Sequence, residues 1–236
     1  MKNKLEELLN SSSKIDLTQY RAIASLFQKY VVDLVSDIWY KNNNQIIMEL
    51  NGVPICLEGS AVNSSTAFGF IIEEFLVRQL PLNKFKTPNE STVNSVYDFK
   101  FFDDSKIELL VNLKVERGTN NGVCAANILM DYYNHNTKPK LYLILKSKYL
   151  IDSQSSKVLF DGIQSYYLES FITNESLIKS DSRNWSKSFN ILSGRLQSPN
   201  RNVMKNLGID DIPSPDSVLR FINNDLEKVL IKSKKK

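Results

Sequence analysis

One stretch of this sequence, IELLVNLKVE at residues 107–116, combines an apolar strand pattern with three polar side chains. Alternate residues of a strand share a face, so Asn112, Lys114 and Glu116 lie together, opposite an apolar row. Upstream, Asp98 would face Asn112 if the two segments form an antiparallel hairpin in that register. A carboxylate, an amide oxygen and an ammonium on one face can bind Mg²⁺ beside a phosphate and promote phosphodiester hydrolysis. A half-buried strand whose polar face meets water would show the same alternation.

The segments around this hairpin must position its polar face. A long amphipathic helix is predicted over residues 16–40 with Asp16 as its N-cap, and a second helix over residues 64–80. A helix at 122–135 and an apolar strand at 140–151 are predicted after the hairpin. The sequence therefore predicts an α/β fold, with a mixed central β-sheet flanked by helices.

The remaining segments give weaker patterns. Two short extended pieces are predicted about Asn51-Gly52. KVLFDGIQSYYLESFIT is ambiguous between strand and helix, and SPDSVLRFINNDLEKVLIK predicts a terminal helix with Ser214 or Ser217 near its cap. Because no boundary is evident, we predict a single domain over residues 1–236.

The composition excludes several classes of catalytic site. His135 is the only histidine, and Cys56 and Cys124 are the only cysteines, which is too few for zinc fingers or multi-histidine metal sites. Neither GxGxxG nor GxxxxGK[ST] occurs, so no nucleotide cofactor is predicted. The net charge of +4 is carried by the lysines of the C-terminal tail, so bulk charge says little about partners. Any enzymatic chemistry would therefore use carboxylates, lysine and a hard metal ion.

The apolar residues indicate no membrane segment. No run of about 18 apolar residues is present, and the N-terminal MKNKLEELLNSSSK is too charged for a signal peptide. We therefore expect a cytoplasmic protein.

The hairpin residues resemble the motif of the PD-(D/E)XK nuclease superfamily, in which an acid on one strand precedes an acid-x-Lys triplet on the next. Asp98 matches the first acid, and Asn112-Leu113-Lys114 matches the triplet in the N-x-K form of some type II restriction endonucleases. The predicted order of helix, hairpin, helix and strand over about residues 60–151 is similar to the common core of that family. The resemblance implies a restriction-endonuclease-like core.

The function implied by this resemblance is Mg²⁺-dependent cleavage of double-stranded DNA at a specific, palindromic site by a homodimer. Asp98 and Asn112 would hold the metal, and Lys114 would orient the attacking water and stabilise the phosphorane. Since Asn112 is neutral, a further carboxylate is expected to assist. We take Glu74 as that ligand, with Glu73 and Glu116 as alternatives.

Two polar segments are candidates for DNA recognition. The loop after the hairpin carries Arg117, Thr119, Asn120 and Asn121, and a later segment without acids carries Arg195 and Gln197. Arginine can read guanine, asparagine and glutamine can read adenine, and all can bind phosphate. A surface loop whose Asn-Gly makes a turn is the structural alternative.

Other interpretations remain open at this stage. Asp98-Phe99-Lys100 is itself an acid-x-Lys triplet, with Glu90 or a helix glutamate as its first acid. A non-specific repair, junction-resolving or phage nuclease would share the same core. A non-catalytic DNA-binding protein with a degenerate core would explain the amide at Asn112. The dimer interface would use helix 16–40 or the C-terminal helix.

Overall fold

A six-stranded mixed sheet flanked by helices organises the chain, which confirms the predicted α/β class. The computed structural model describes residues 2–11, 15–54, 66–81, 83–88, 97–101, 107–117, 122–123, 138–152, 156–172, 189–190, 195–197, 208–221 and 223–224. The helices are α1 (Lys2–Ser11), α2 (Leu17–Lys41), α3 (Thr66–Arg78), α4 (Leu168–Ile172) and α5 (Pro215–Phe221), with a 3₁₀ turn at Ile209–Asp211.

The large sheet has the strand order β1-β9-β8-β6-β5-β4. Its strands are β1 (Gln45–Ile47), β4 (Phe85–Lys86), β5 (Phe99–Phe101), β6 (Glu108–Arg117), β8 (Lys140–Asp152) and β9 (Lys157–Tyr167). Strands β6 and β8 are parallel, and the other neighbours are antiparallel. The smaller strands are β2 (Glu49–Leu50), β3 (Val53–Pro54), β7 (Gly122–Val123), β10 (Phe189–Asn190) and β11 (Arg195–Gln197).

The β5–β6 hairpin has the predicted register. Phe99 pairs with Val111 and Lys100 pairs with Leu110, which is the alignment that sets Asp98 opposite Asn112. Asp98 itself precedes β5, and its backbone N–H donates to the carbonyl of Val111 at 2.9 Å. The residues between the two strands, 102–106, lie outside the described residues.

Helix α2 begins where the sequence predicts. The side chain of Asp16 accepts the Gln19 N–H at 2.8 Å, and Gln19 in turn accepts the Asp16 N–H. This reciprocal pair satisfies N–H groups that have no partner within the helix. The helix ends at Lys41, so the prediction of a helix over 16–40 is confirmed.

The two faces of the sheet differ in chemistry. On β6 the alternating residues Leu109, Val111, Leu113 and Val115 are buried in a core shared with α1, α2 and α3. The Nε1 of Trp39 on α2 donates to Ser147 Oγ on β8 at 2.9 Å, which fixes the helix against this face. The polar residues of β6 point to the opposite face, because side chains alternate along a strand. Burial of the apolar face therefore determines where Asn112, Lys114 and Glu116 lie.

The other predicted elements have mixed outcomes. Helix 64–80 is confirmed as α3, and strand 140–151 is confirmed as β8. The predicted helix at 122–135 is wrong at its first two residues, which form β7, and residues 124–135 lie outside the described residues. Glycine and β-branched valine are weak helix formers, and here pairing with β11 decides their conformation.

Later segments combine strand and helix. KVLFDGIQSYYLESFIT contains both, since β9 is followed directly by α4. The predicted terminal helix is described as α5, and Ser214 Oγ accepts the Ser217 N–H at 3.2 Å as its cap. Asn51 and Gly52 both have positive φ and join β2 to β3, as their turn-forming character predicts. None of the described helices is long and apolar enough to cross a membrane.

Candidate active site

Among the described residues, no strand pairs with the second half of β6 on the side of β5, and we call this side its open edge. Strand β8 pairs along the whole of β6, whereas β5 pairs only with Leu110 and Val111. Two carboxylates bind the N–H groups that face this edge. Asp98 Oδ2 accepts the Leu113 N–H at 2.6 Å, and Glu73 Oε1 accepts the Val115 N–H at 3.1 Å. Acidic side chains thus accept two N–H groups of β6 that a neighbouring strand would otherwise bind.

Lys114 places an ammonium between these two carboxylates. Its Nζ lies 3.7 Å from Glu73 Oε1 and 3.9 Å from Asp98 Oδ2, and it donates to the Leu113 carbonyl at 3.0 Å. The Lys114 side chain is 22% exposed, so the cluster is reachable from solvent. Helix α3, the residue before β5 and strand β6 together build one compact charged site.

Burial shifts the proton equilibria of both carboxylates. Desolvation raises the pKa of Glu73 to about 7, although the Lys114 ammonium and the Val115 N–H oppose this change. The Asp98 carboxylate also contributes to the rise through repulsion. Desolvation likewise raises the pKa of Asp98, against the opposing effects of Lys114 and the Leu113 N–H. A carboxyl group that titrates near neutral pH in a partly open site is suited to proton transfer.

Asn112 precedes these contacts on β6 and is buried. It is 5% exposed, and among the described residues its Oδ1 has no hydrogen-bond partner. An unsatisfied buried carbonyl of this kind costs about 1–3 kcal/mol. At 5% exposure the side chain of Asn112 does not face water, which was the alternative that the sequence left open. A bound water, cation or ligand atom would satisfy its oxygen.

The oxygen donors around Lys114 fit a hard cation. Asp98 and Glu73 each use one carboxylate oxygen in the contacts above, and Asn112 adds an amide oxygen. These are the ligand types that Mg²⁺ prefers. The described part of the chain contains no cluster of three or more His, Cys, Asp or Glu side chains able to hold a metal. A metal here would therefore depend on the amide as well as on the two acids.

The structure replaces Glu74 by Glu73 in the candidate site. Glu74 has a side chain 59% exposed and pairs with Arg78 at 2.7 Å, one helical turn away. Glu73 flanks the buried side of α3 and reaches β6. The i, i+4 spacing of Glu74 and Arg78 was the signal in the sequence that Glu74 belongs on the solvent side.

Glu116, the third alternative, is engaged elsewhere. Its two oxygens lie 3.0 and 3.2 Å from Lys146 Nζ, and Lys146 is only 1% exposed. Burial raises the pKa of Glu116, and the ammonium of Lys146 opposes that change. Lys146 on β8 is the register partner of Lys114. This neighbour could be predicted only if the parallel pairing of β6 and β8 were known. The sequence alone did not indicate this buried ion pair.

The rival triplet Asp98-Phe99-Lys100 is arranged differently. Asp98 contacts Leu113 and Lys114 of β6, whereas Lys100 Nζ lies over the ring of Tyr97, 5.8 Å from its centroid. Phe99 is fully buried. Glu90 lies outside the described residues. The contacts of Asp98 therefore favour the register with Lys114.

The second candidate recognition segment pairs with the two residues that follow the first in the sequence. Arg117 is exposed at the end of β6, and Thr119, Asn120 and Asn121 lie outside the described residues. The chain re-enters the described residues at β7, where Gly122 pairs with Gln197 of β11. Strand β11 contains Arg195, so this small antiparallel sheet joins the backbones of the two segments.

Comparisons with known proteins do not identify the family. No family model matches the sequence, and no curated protein matches it either.

Proposed function

We propose that this protein is a Mg²⁺-dependent endonuclease that hydrolyses phosphodiester bonds in double-stranded DNA. The observation that supports the proposal is the ammonium of Lys114 held between the desolvated carboxylates of Asp98 and Glu73 at an open strand edge. Removing charged groups from water is costly, and the charge of one ammonium does not neutralise two carboxylates. Accepting the Leu113 and Val115 N–H groups requires only neutral acceptors such as amide oxygens, not two carboxylates. The arrangement is explained if the ammonium binds an anionic substrate and the carboxylates bind a cation.

Each residue has a role in this proposal. Asp98, Asn112 and Glu73 would hold the metal ion, which would neutralise phosphate charge and acidify water. Lys114 donates to the attacked phosphate and stabilises the negative charge that develops on it. A bound cation would lower the pKa of Glu73 from its metal-free value of about 7, so both acids would be charged in the loaded site at neutral pH. The hydrogen bonds to Leu113 and Val115 keep both carboxylates oriented.

Within this class we propose a type II restriction endonuclease that acts as a homodimer on a palindromic site. Recognition is assigned to Arg117 with the loop at 118–121, and to the segment of Arg195 and Gln197. The support is the pairing of β7 with β11, which brings the backbones of these segments together just after the catalytic strand. A cytoplasmic location and independence of nucleotide cofactors belong to the same proposal.

The direct test is digestion of phage and plasmid DNA with Mg²⁺, and again with EDTA. Discrete fragments support a site-specific enzyme, whereas a smear supports a non-specific repair, junction or phage nuclease. Salt-sensitive DNA binding without cleavage would instead support the non-catalytic alternative, which the neutral Asn112 favours.

Asn112 provides a prediction that separates metal binding from simple burial. Asn112→Asp places a second acidic group beside Asp98, so the variant should be less stable than wild type in EDTA and should gain more stability from Mg²⁺. Asn112→Leu removes the unsatisfied oxygen at similar volume, so it should fold well and cleave poorly at any Mg²⁺ concentration. Thermal unfolding at several Mg²⁺ concentrations measures the stability of each protein, and a DNA-cleavage assay over the same concentrations measures the activity. If Mg²⁺ raises the stability of wild type and of both variants by the same amount, Asn112 is not a metal ligand.

The recognition residues give a further prediction. If Arg117, Asn120 or Asn121 reads a base, alanine at that position should cost about 1–3 kcal/mol of binding at one base pair of the site. A phosphate contact would instead weaken binding to all sequences and reduce its salt dependence. Binding to a panel of singly substituted duplexes distinguishes the two. If all three variants bind every duplex as wild type does, recognition is assigned to Arg195 and Gln197 instead.

A further inference from the structure

A pair of lysines lies next to the candidate site, with no acidic partner among the residues that the structure describes. Lys86 on β4 and Lys100 on β5 are register partners in an antiparallel pair, so their side chains lie directly opposite each other. Four other lysines have carboxylate partners: Lys84 with Glu6, Lys114 with Asp98 and Glu73, Lys140 with Glu108, and Lys146 with Glu116. In the described parts of the chain no ion pair forms at Lys86 or Lys100. Two like charges in direct opposition destabilise a sheet, so their position requires a reason.

The lysine pair lies on the same face of the sheet as the candidate site. Phe85 and Phe101, the neighbouring register partners, are buried against α2 through Phe27 and Tyr30. Lys86 and Lys100 therefore point away from α2. Alternation assigns Asp98, two residues before Lys100, to the same face. Lys86 is exposed and Lys100 is half-buried. The Tyr97 ring below Lys100 Nζ limits where that side chain can lie.

We propose that Lys86 and Lys100 form a phosphate clamp that binds the nucleic-acid backbone beside the bond to be cut. This inference rests on the proposed nuclease function and adds a binding subsite to it. Two strand residues span about 7 Å, and each strand of duplex DNA carries one phosphate per about 3.4 Å of helix axis. The clamp therefore binds a phosphate one or two nucleotides from the phosphate at Asp98 and Lys114. It reads no sequence and fixes the position of the strand.

The test compares two double variants with the same change in charge. Lys86→Gln with Lys100→Gln removes the clamp, and Lys29→Gln with Lys41→Gln removes two exposed cations from α2, on the other side of the sheet. Affinity for a duplex is measured in EDTA from 50 to 300 mM KCl. Each phosphate contact contributes about 0.9 to the slope of log affinity against log salt. Because the clamp binds one phosphate, its variant should lose about 0.9 units of slope, whereas the control should keep the wild-type slope.

The outcomes separate the clamp from the nuclease proposal. If the wild-type protein binds and cuts DNA and the clamp variant has the same slope of log affinity against log salt, the clamp proposal is wrong. The nuclease proposal is then unaffected. The lysines would then serve only to protect the edge strand β4 from pairing. Wild-type protein that neither binds nor cuts DNA overturns the nuclease proposal and the clamp together. Equal losses of slope in both double variants also overturn the clamp, because they indicate diffuse charge.

Discussion

Asp98→Asn should reduce the rate of Mg²⁺-dependent DNA cleavage by about 10²–10³-fold or more, with little change in the free energy of unfolding. The new amide oxygen can still accept the Leu113 N–H that Asp98 Oδ2 binds at 2.6 Å, so the local structure is kept. The charge that attracts a cation and pairs with Lys114 is lost. Single-turnover cleavage at saturating Mg²⁺ measures the rate, and chemical denaturation measures stability.

Asp211→Asn is the matched control. Asp211 Oδ2 accepts the Gly208 N–H at 2.6 Å in the 3₁₀ turn, a bond of the same kind far from β6 in the sequence. That variant should cleave at the wild-type rate. Lys114→Gln should lose cleavage in the same way as Asp98→Asn, because both remove one charge from the same cluster. Wild-type cleavage by either Asp98→Asn or Lys114→Gln would disprove the assignment of the site.

Glu73→Gln should make the protein more stable at pH 8 while it impairs cleavage. Glu73 has a pKa near 7 in the folded chain and an ordinary value of 4.5, so the folded state holds its proton more tightly. The free energy of unfolding therefore falls as pH rises from about 4.5 through 7 and is flat above that range. The shift corresponds to about 3 kcal/mol as an upper bound. Glutamine keeps the acceptor for the Val115 N–H and never ionises, so the variant avoids this loss.

The diagnostic measurement is how the difference in free energy of unfolding between Glu73→Gln and wild type depends on pH. Glu73→Gln should gain on the order of 1–3 kcal/mol over wild type at pH 8 and almost nothing at pH 4.5, measured by urea denaturation in EDTA. Glu74→Gln, at the next position of α3, breaks an exposed pair with Arg78 and should change stability by less than about 0.5 kcal/mol at both pH values. A Glu73→Gln variant that is less stable than wild type at pH 8 would mean that the Lys114 pair is a net structural stabiliser.

The parts of this structure that follow from local patterns were predictable from the sequence. Alternation in residues 107–116 and the short separation from Asp98 determined both the hairpin and its register. The choice between Glu73 and Glu74 depended on the rotation of α3 against β6, which only tertiary packing sets. The burial of Asn112 was also not predictable, because alternation along β6 does not show whether the second face of the strand is covered. The pairing of Lys146 with Glu116 required the parallel alignment of β6 and β8, which short-range patterns do not encode.

The carboxylates on the open edge of β6 have a consequence for solubility. An unpaired strand edge is a template on which another chain can add a strand, and proteins commonly protect such edges with charge. Asp98 and Glu73 bind the Leu113 and Val115 N–H groups that an incoming strand would need. The same two acids therefore oppose strand addition at this edge and form the candidate site. Selection against aggregation would preserve them even in a descendant that had lost every catalytic role.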